Sequence, residues 1–496
     1  MTLVGRNIMA NVAGTGLGIV VFLVVVPVYL RLLGAEVYGL VGLLTTLMVA
    51  AAALDLGLGA TMSRETARMT VRATASPGFA HVVVTLQVAC WAIAIGFGVL
   101  FIAMAPAITR WLTFSTLSHA EVRGALGLLG ATLPALVLRG FYLTALNGLQ
   151  RQSLTNVVQV GGAVVRGTVT IAALGLVAST STVFFVTHLV LFYVEVGVLV
   201  ALLRRSLPGG AQGGRIRLAA IRPLLGFSLG MAGTLLLGLA LTSMDQIVLS
   251  AVLPLAEFGY YTLAVTAATA IGQVVRPVTT AVYPRFSQLF ERGDIDGAAE
   301  EYHFFSQLVG TVVLPLGVLL VCFSGDVLTV WTGNAELVRH AAVVLSLRTL
   351  GTMLNAVMHV PHVVQLAFGW STLGARVNAV AVLVMAPVII VLSQWWGGPG
   401  AALAWVLLNV GILLVAMGRM HRRVLPGELA RWYGGLLMQA TAVATVGVLA
   451  RAAMPETLGT IARLTWLATT GGLAAAAALG ISSTVRRRVV AAARAA

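Results

Sequence analysis

The sequence predicts an all-α polytopic membrane protein of about fourteen transmembrane helices, arranged as two parallel six-helix lobes plus two extra C-terminal helices. Three observations predict it. Of 496 residues, 59% are hydrophobic and only 9% charged, where soluble domains are roughly half apolar and a quarter charged. Apolar runs of about twenty residues recur along the whole chain. No segment between them is much longer than about twenty residues, too short for a folded soluble domain. A surface this poor in charge could not stay dissolved, and a mean hydropathy of +0.98 spreads the apolar excess over the chain.

A backbone surrounded by lipid must satisfy its own hydrogen bonds, so each run is read as a helix. The expected spans cover residues 7–29, 38–62, 80–103, 124–146, 154–177, 183–203 and 224–252, then 260–283, 304–323, 338–361, 374–392, 400–420, 432–450 and 461–481. The first follows Arg6 and runs on past the length of a secretory apolar core without a small-residue cleavage site, so it reads as an uncleaved span. Pro27, Pro134, Pro277, Pro315, Pro361 and Pro387 fall in spans, where kinks are tolerated. Trp331, Trp395 and Trp396 fall near expected outer interfaces as belt anchors. Residues 285–303 read as a short amphipathic interfacial helix.

Orientation follows from arginine, which supplies all 31 Lys-plus-Arg residues. With the N-terminus inside, twenty-one arginines fall in cytoplasmic segments and six outside, which places both termini in the cytoplasm. The net charge of +15 is scattered through these short gaps, the pattern of a chain meeting an anionic leaflet and not that of a nucleic-acid-binding face. Cys90 and Cys322 lie inside apolar runs, so no disulfide framework or metal spacing is expected.

The organisation expected is an N-lobe over 1–205, a cytoplasmic Gly/Arg-rich linker over 206–222, a C-lobe over 223–420, and the last two spans with a basic cytoplasmic tail over 421–496. A weak internal repeat supports two lobes. Ala35-Glu36-Val37 recurs as Ala256-Glu257-Phe258, and each Glu is followed 28 residues later by Arg, Arg64 and Arg285, at one offset of 221. Six spans per copy is an even number, so the copies run parallel.

The stretches Leu30-Arg31-Leu32-Leu33-Gly34-Ala35-Glu36-Val37-Tyr38-Gly39-Leu40, Leu54-Asp55-Leu56-Gly57-Leu58-Gly59 and Ser63-Arg64-Glu65, preceded by Asn7, Asn11 and Pro27, resemble the polysaccharide-transport family of the MOP superfamily, the Wzx-type flippases. Asp245-Gln246, Gly259-Tyr260-Tyr261-Thr262-Leu263-Ala264 and Pro284-Arg285-Phe286-Ser287 are similar to the second lobe of that family. The resemblance covers about the first 300 residues, and the last 190 or so match only in span number. It implies a V-shaped pair of helical bundles and alternating access. The substrate it implies is an undecaprenyl-diphosphate-linked glycan carried from the cytoplasmic to the periplasmic leaflet. Membrane lipids, and a polymerase and chain-length regulator of the same pathway, are the partners implied. No cofactor is expected.

An ionised side chain at the bilayer centre costs roughly 2.5–3.5 kcal/mol even on insertion scales, so each one needs a reason. Four arginines lie within spans: Arg139, Arg166, Arg276 and Arg348. A guanidinium binds a diphosphate bidentately and keeps its charge, which makes these four the candidate substrate contacts. Arg166, among Gly161, Gly162 and Gly167, is the foremost; a structural ion pair is the alternative for Arg166, Arg276 and Arg348, and snorkelling to headgroups for Arg139. Three acids lie in spans too. Asp55 stands opposite Arg276 at the repeat offset and is expected either to pair with it across the lobes or to hold a local helix break. Asp245 and Glu195 are candidates for coupling transport to protons, another cation or the membrane potential. A multidrug or cation exporter of the same superfamily is the main alternative, disfavoured by four intramembrane arginines against three acids. A glycan polymerase or glycosyltransferase would need a larger extramembrane loop than this chain has.

Overall fold

In the computed structural model, residues 3–72, 78–207, 214–482, 484–486 and 488 are described. The chain forms helices α1 (Leu3–Leu54), α2 (Leu58–Arg72), α3 (Phe79–Trp111), α4 (His119–Gly148), α5 (Gln152–Leu176), α6 (Ser181–Ser206), the single turn α7 (Leu218–Ile221), α8 (Leu225–Val252) and α9 (Leu255–Glu291). There follow α10 (Ile295–Cys322), α11 (Ser324–Thr332), α12 (Ala335–Val357), α13 (His359–Ala367), α14 (Ser371–Trp396), α15 (Gly398–Val424), α16 (Leu429–Ala452) and α17 (Thr460–Ile481). Among the described residues, 13 segments are long and apolar enough to cross a bilayer. The first, Gly16–Ala51, passes through a kink at Gly34, so the two limbs of α1 hold the first expected span and residues 38–54 of the second, which breaks at Asp55–Gly57 before α2, and the other segments match the remaining expected spans one for one. Leu383 at 76% and Leu414 at 66% exposure, in the middle of α14 and α15, put large apolar side chains on outer helix surfaces, as a lipid surround requires. The chain is a multi-pass membrane protein.

The interfacial helix expected over 285–303 does not form as a separate element. Phe286 and Leu289 are buried and continue the apolar stripe of α9, which therefore runs on to Glu291. The chain turns at Gly293, and α10 starts with the Asp294 carboxylate accepting from Gly297 N at 2.8 Å.

The chain divides into two compact units, Met1–Gly259 and Tyr260–Ala496. The first holds α1–α8 and the opening turn of α9. Helix α8, expected in the C-lobe, packs on α1 and α2: Thr46 Oγ1 donates to Gln246 Oε1 at 2.7 Å, and the Thr61 and Ser228 hydroxyls lie 2.5 Å apart. The border of the units therefore falls after α8, whereas the expected linker lies before it. Residues 208–213 of that linker, and 483, 487 and 489–496 of the basic tail, lie outside the described residues.

At one end of this unit Glu36, just after the kink in α1, accepts hydrogen bonds from the backbone and hydroxyls of Ser115 and Thr116 and from Leu117 N, at 2.5 to 3.1 Å. That single carboxylate satisfies three backbone N–H groups of the α3–α4 connection. At its own turn Asp55 does similar work: Oδ1 accepts from Gly57 N at 2.8 Å and Oδ2 from Gly59 N at 2.9 Å, capping α2. The turn needs that support because Leu56 is held at φ 51° and Gly57 at φ 76°. A Cβ on Gly57 would lie 2.2 Å from the Ser228 carbonyl oxygen, so only glycine lets α8 approach here. Asp55→Ala is expected to cost about 0.5–2 kcal/mol, read as a lower unfolding temperature in detergent, with Asp55→Asn retaining most of the stability.

In the second unit α10 is the spine, its buried Tyr302, Val309 and Val313 packing into a core with Phe286, Met420, Val443 and Ala474. Helices α16 and α17 are bound to it by polar contacts as well as by apolar packing. Gln439 Nε2 donates to Gln307 O and to Thr311 Oγ1, both at 3.2 Å, and pairs with Ser482. Farther along, Asp326 carries Arg451 at 2.6 Å and Arg463 at 3.2 Å. The last two helices are thus part of this unit.

Candidate functional site

Four helices of the first unit bring a charged cluster together in its interior. The spacing along α6 sets one wall: Phe184, His188, Phe192 and Glu195 recur at intervals of four, four and three residues, and all four side chains are buried. On α5, Arg166 and Thr170 are one turn apart and both buried. Helix α4 contributes Arg139 and α1 contributes Tyr29. Arg166 lies fourteen residues into α5 and Glu195 fourteen into α6, about 21 Å from either helix start at 1.5 Å per residue, well inside an apolar layer about 30 Å thick.

Glu195 is held by two arginines. Arg139 Nε donates to Oε1 at 2.6 Å, and Arg166 Nη1 donates to Oε2. Gly162 makes the second contact possible, since a Cβ there would lie 2.9 Å from Glu195 Oε2 and 3.1 Å from Arg166 Nη1. The Arg166 guanidinium also sits 4.4 Å above the Phe192 ring, which adds a cation–π attraction. Behind it, His188 stacks on Phe184 at 4.1 Å and meets Tyr29 edge-on at 6.2 Å. His188 Nδ1 lies 3.1 Å from the Phe184 carbonyl, which can only accept, so Nδ1 carries the proton of the neutral ring.

Two guanidiniums and one carboxylate leave a formal charge of +1 buried in an apolar layer. One acid cannot saturate ten arginine N–H donors. The Arg139 side chain is 18% exposed and that of Arg166 11%, against 5% for Glu195, so the arginines and not the acid face the accessible side. Such an arrangement can take up an anion with planar oxygens, each oxygen meeting donors already oriented by Glu195.

The other sequence-derived candidates are placed elsewhere. Arg348, in the second unit, is buried with its guanidinium 4.4 Å above the Trp405 ring. Asp245 is buried in α8, and Asp55 caps α2. The side chain of Arg276 lies outside the described residues, so the Asp55–Arg276 pair is not described. The structure therefore brings together Arg139, Arg166 and Glu195 and leaves Asp55 and Asp245 outside that cluster. Tyr29, Thr170, His188 and Phe192 were missed. The stripe on α6 was their available signal, because a histidine, two aromatics and an acid on one face of a membrane helix mark a face turned to protein. Among the described residues no group of three or more His, Cys, Asp or Glu side chains is placed to hold a metal ion.

The fold is that of multi-helix membrane transporters of the MOP superfamily. The chain is similar to an inward-facing multidrug-resistance MATE transporter of the MOP superfamily, with a TM-score of 0.67 at 14% identity over 86% of this chain and 99% of that one. It is also similar to the lipid II flippase MurJ in an inward closed conformation, with a TM-score of 0.64 at 11% identity over 92% of this chain and 98% of that one. A MOP-superfamily transporter from Pyrococcus furiosus, described as having a binding pocket of reverse polarity, aligns with a TM-score of 0.59 at 15% identity over 86% of this chain and 96% of that one. Residues 4–290 match the Polysaccharide biosynthesis protein family, and the chain belongs to it. None of the curated proteins compared with the chain matches it.

Proposed function

We propose that the protein is a flippase that moves an undecaprenyl-diphosphate-linked oligosaccharide from the cytoplasmic to the outer leaflet of the bacterial inner membrane. It works by alternating access in cell-surface polysaccharide biosynthesis, with both termini in the cytoplasm. The observation that carries this reading is the cluster of Arg139 and Arg166 around Glu195, a net positive charge buried among the membrane helices of the first unit and suited to a diphosphate. A carrier of cations would gain nothing from that charge, which weighs against the multidrug-exporter alternative despite the likeness of fold. Membership of a polysaccharide biosynthesis family supports a glycan cargo. The likeness to a lipid II flippase supports a lipid-linked one.

Three elements perform the transfer in this reading. The two guanidiniums hold the diphosphate oxygens, Glu195 fixes their forks and tempers their charge so that the headgroup is released, and the lipid-facing helix surfaces leave the polyprenyl tail in the bilayer. Deleting the gene is expected to accumulate lipid-linked oligosaccharide on the cytoplasmic face, accessible there to a glycosidase in inverted vesicles, and wild-type protein should clear it. Unchanged sidedness after deletion, with no second transporter expressed, would reject the reading.

A further inference from the structure

The second unit contains a cavity of about 220 Å³ that the arginine cluster does not explain. It opens where the membrane segment 335–367 breaks: α12 ends at Val357, Met358 bridges, and α13 starts at His359. Interrupted helices in transporters expose backbone and polar side chains at depth, where an unbroken helix would present only apolar ones.

Five of the twelve lining residues are polar. Asn355, His359, His362, Gln365 and Asn378 surround the space, and none of its lining residues is an acid or an arginine. These groups are held in fixed poses. Asn355 Nδ2 donates to Asn409 Oδ1 at 2.9 Å, and Asn409 Nδ2 donates in turn to Trp405 O at 2.7 Å, which leaves the Asn355 side-chain carbonyl as an acceptor. His359 Nδ1 lies 3.0 Å from the Asn355 backbone carbonyl and so carries the ring proton, leaving Nε2 to accept. Gln365, buried, spends an amide N–H on Trp370 O at 2.7 Å and keeps its oxygen. His362 is exposed to the space. The remaining wall is apolar, with Met358, Ile412 and Met417 among it.

That combination selects a chemistry. A cation would enter with no acid to pair with, and an anion would find no guanidinium in the lining. A purely apolar guest would strand the oriented amides and imidazoles. A neutral ring carrying hydroxyls, each both donor and acceptor, with a C–H face for the apolar wall, satisfies both halves. The volume suits a single sugar ring. Arg376 on α14 and Arg419 and Arg422 on α15 lie along the same helices near the cavity-lining Val377 and Met417, and the arginine bias reads their end as cytoplasmic, the side from which a glycan would be loaded.

We infer that this cavity at the α12–α13 break is a binding site for one neutral sugar ring of the transported glycan. The inference rests on the flippase reading and adds a second, uncharged contact that recognises the sugar and not the diphosphate.

The test measures binding to the purified full-length protein in nanodiscs. The two probes are undecaprenyl diphosphate alone and the lipid-linked oligosaccharide extracted from the deletion strain. Wild type is expected to bind the glycosylated lipid about tenfold more tightly than the bare one, since several oriented hydrogen bonds are added. His362→Leu and, independently, Ala416→Leu, which puts bulk into the space, should each bring that ratio close to one. Arg166→Gln should weaken both lipids together and leave the ratio in place. A wild-type ratio near one, or a ratio unchanged in both cavity variants, overturns the sugar site. Failure of wild type to bind either lipid overturns the flippase reading itself, and with it this inference. His362→Gln keeps a hydrogen-bonding group in the space and is expected to recover part of the ratio; recovery separates recognition from a merely structural loss.

Discussion

Glu195→Ala is expected to destabilise the protein by about 3–5 kcal/mol, the largest effect of any single polar substitution in the first unit. The variant leaves two guanidiniums buried against each other with no carboxylate between them. The loss has two parts: each arginine forfeits a charge-assisted hydrogen bond, and their mutual repulsion is no longer offset. Glu195→Gln keeps the shape and an acceptor oxygen but not the charge, so it should fall between wild type and alanine. The double variant Arg166→Gln with Glu195→Gln removes one charge of each sign and leaves Arg139, the more exposed arginine, to be solvated. It should be more stable than either Glu195 variant alone. Unfolding in detergent micelles, followed by intrinsic tryptophan fluorescence or by loss of the monodisperse peak on heating, reads all four. If Glu195→Ala unfolds at the wild-type temperature, the two arginines do not depend on that carboxylate.

Arg166→Gln should reduce translocation at least about a hundredfold while the protein remains folded, because a neutral amide makes neither the bidentate contact nor the charge compensation that a diphosphate in an apolar layer requires. Arg166→Lys retains a point charge but not the planar fork, and is expected to keep a small fraction of activity. Removing Arg139 should have a smaller effect, since its side chain is less buried than that of Arg166. Equal rates for Arg166→Gln and wild type would detach the site from the function without touching the fold.

The helices were legible in the sequence because lipid leaves so little choice: a run of about twenty apolar residues has one stable form, and runs repeat along the chain. Where helices continue was less legible. Gly34 falls between the first two expected spans, and with φ 78° and ψ 172° it does separate two helical limbs; the second expected span, by contrast, stops at Leu54 instead of running on to Met62. The 285–303 segment was read as one acidic, amphipathic interfacial helix, while Phe286 and Leu289 carry α9 into it as far as Glu291 and the rest belongs to α10. Burial of two apolar side chains outweighs the polarity of their neighbours, and a count of charges does not show that.

The candidate site divides in the same way. That arginines inside spans need partners follows from the cost of burying charge. Which partner each takes depends on helix–helix contacts that one sequence does not display. Arg166 and Glu195 are 29 residues apart and Arg139 and Glu195 are 56, yet all three converge because α4, α5 and α6 pack side by side. Asp55 differs in that its partners are local. Its bonds to Gly57 and Gly59 lie within its own turn, and Asp-Leu-Gly-Leu-Gly already carries the composition of a break. The sugar cavity left the weakest trace. Asn355, His359, His362 and Asn378 are ordinary polar residues until the α12–α13 break brings them around one space.

In the function proposed above, this chain carries a lipid-linked glycan across the bilayer with Arg166 as its diphosphate contact. The most direct measurement is translocation in proteoliposomes: purified protein, undecaprenyl-diphosphate-linked oligosaccharide in both leaflets, and a membrane-impermeant glycosidase outside that reports the fraction accessible with time. Wild-type protein is expected to bring the inner-leaflet pool to the enzyme, and Arg166→Gln protein, inserted in equal amount, to leave about half the substrate protected as empty liposomes do. Protection that persists with wild-type protein under an imposed proton gradient, cation gradient and membrane potential, or equal clearance by the Arg166→Gln variant, would contradict the account.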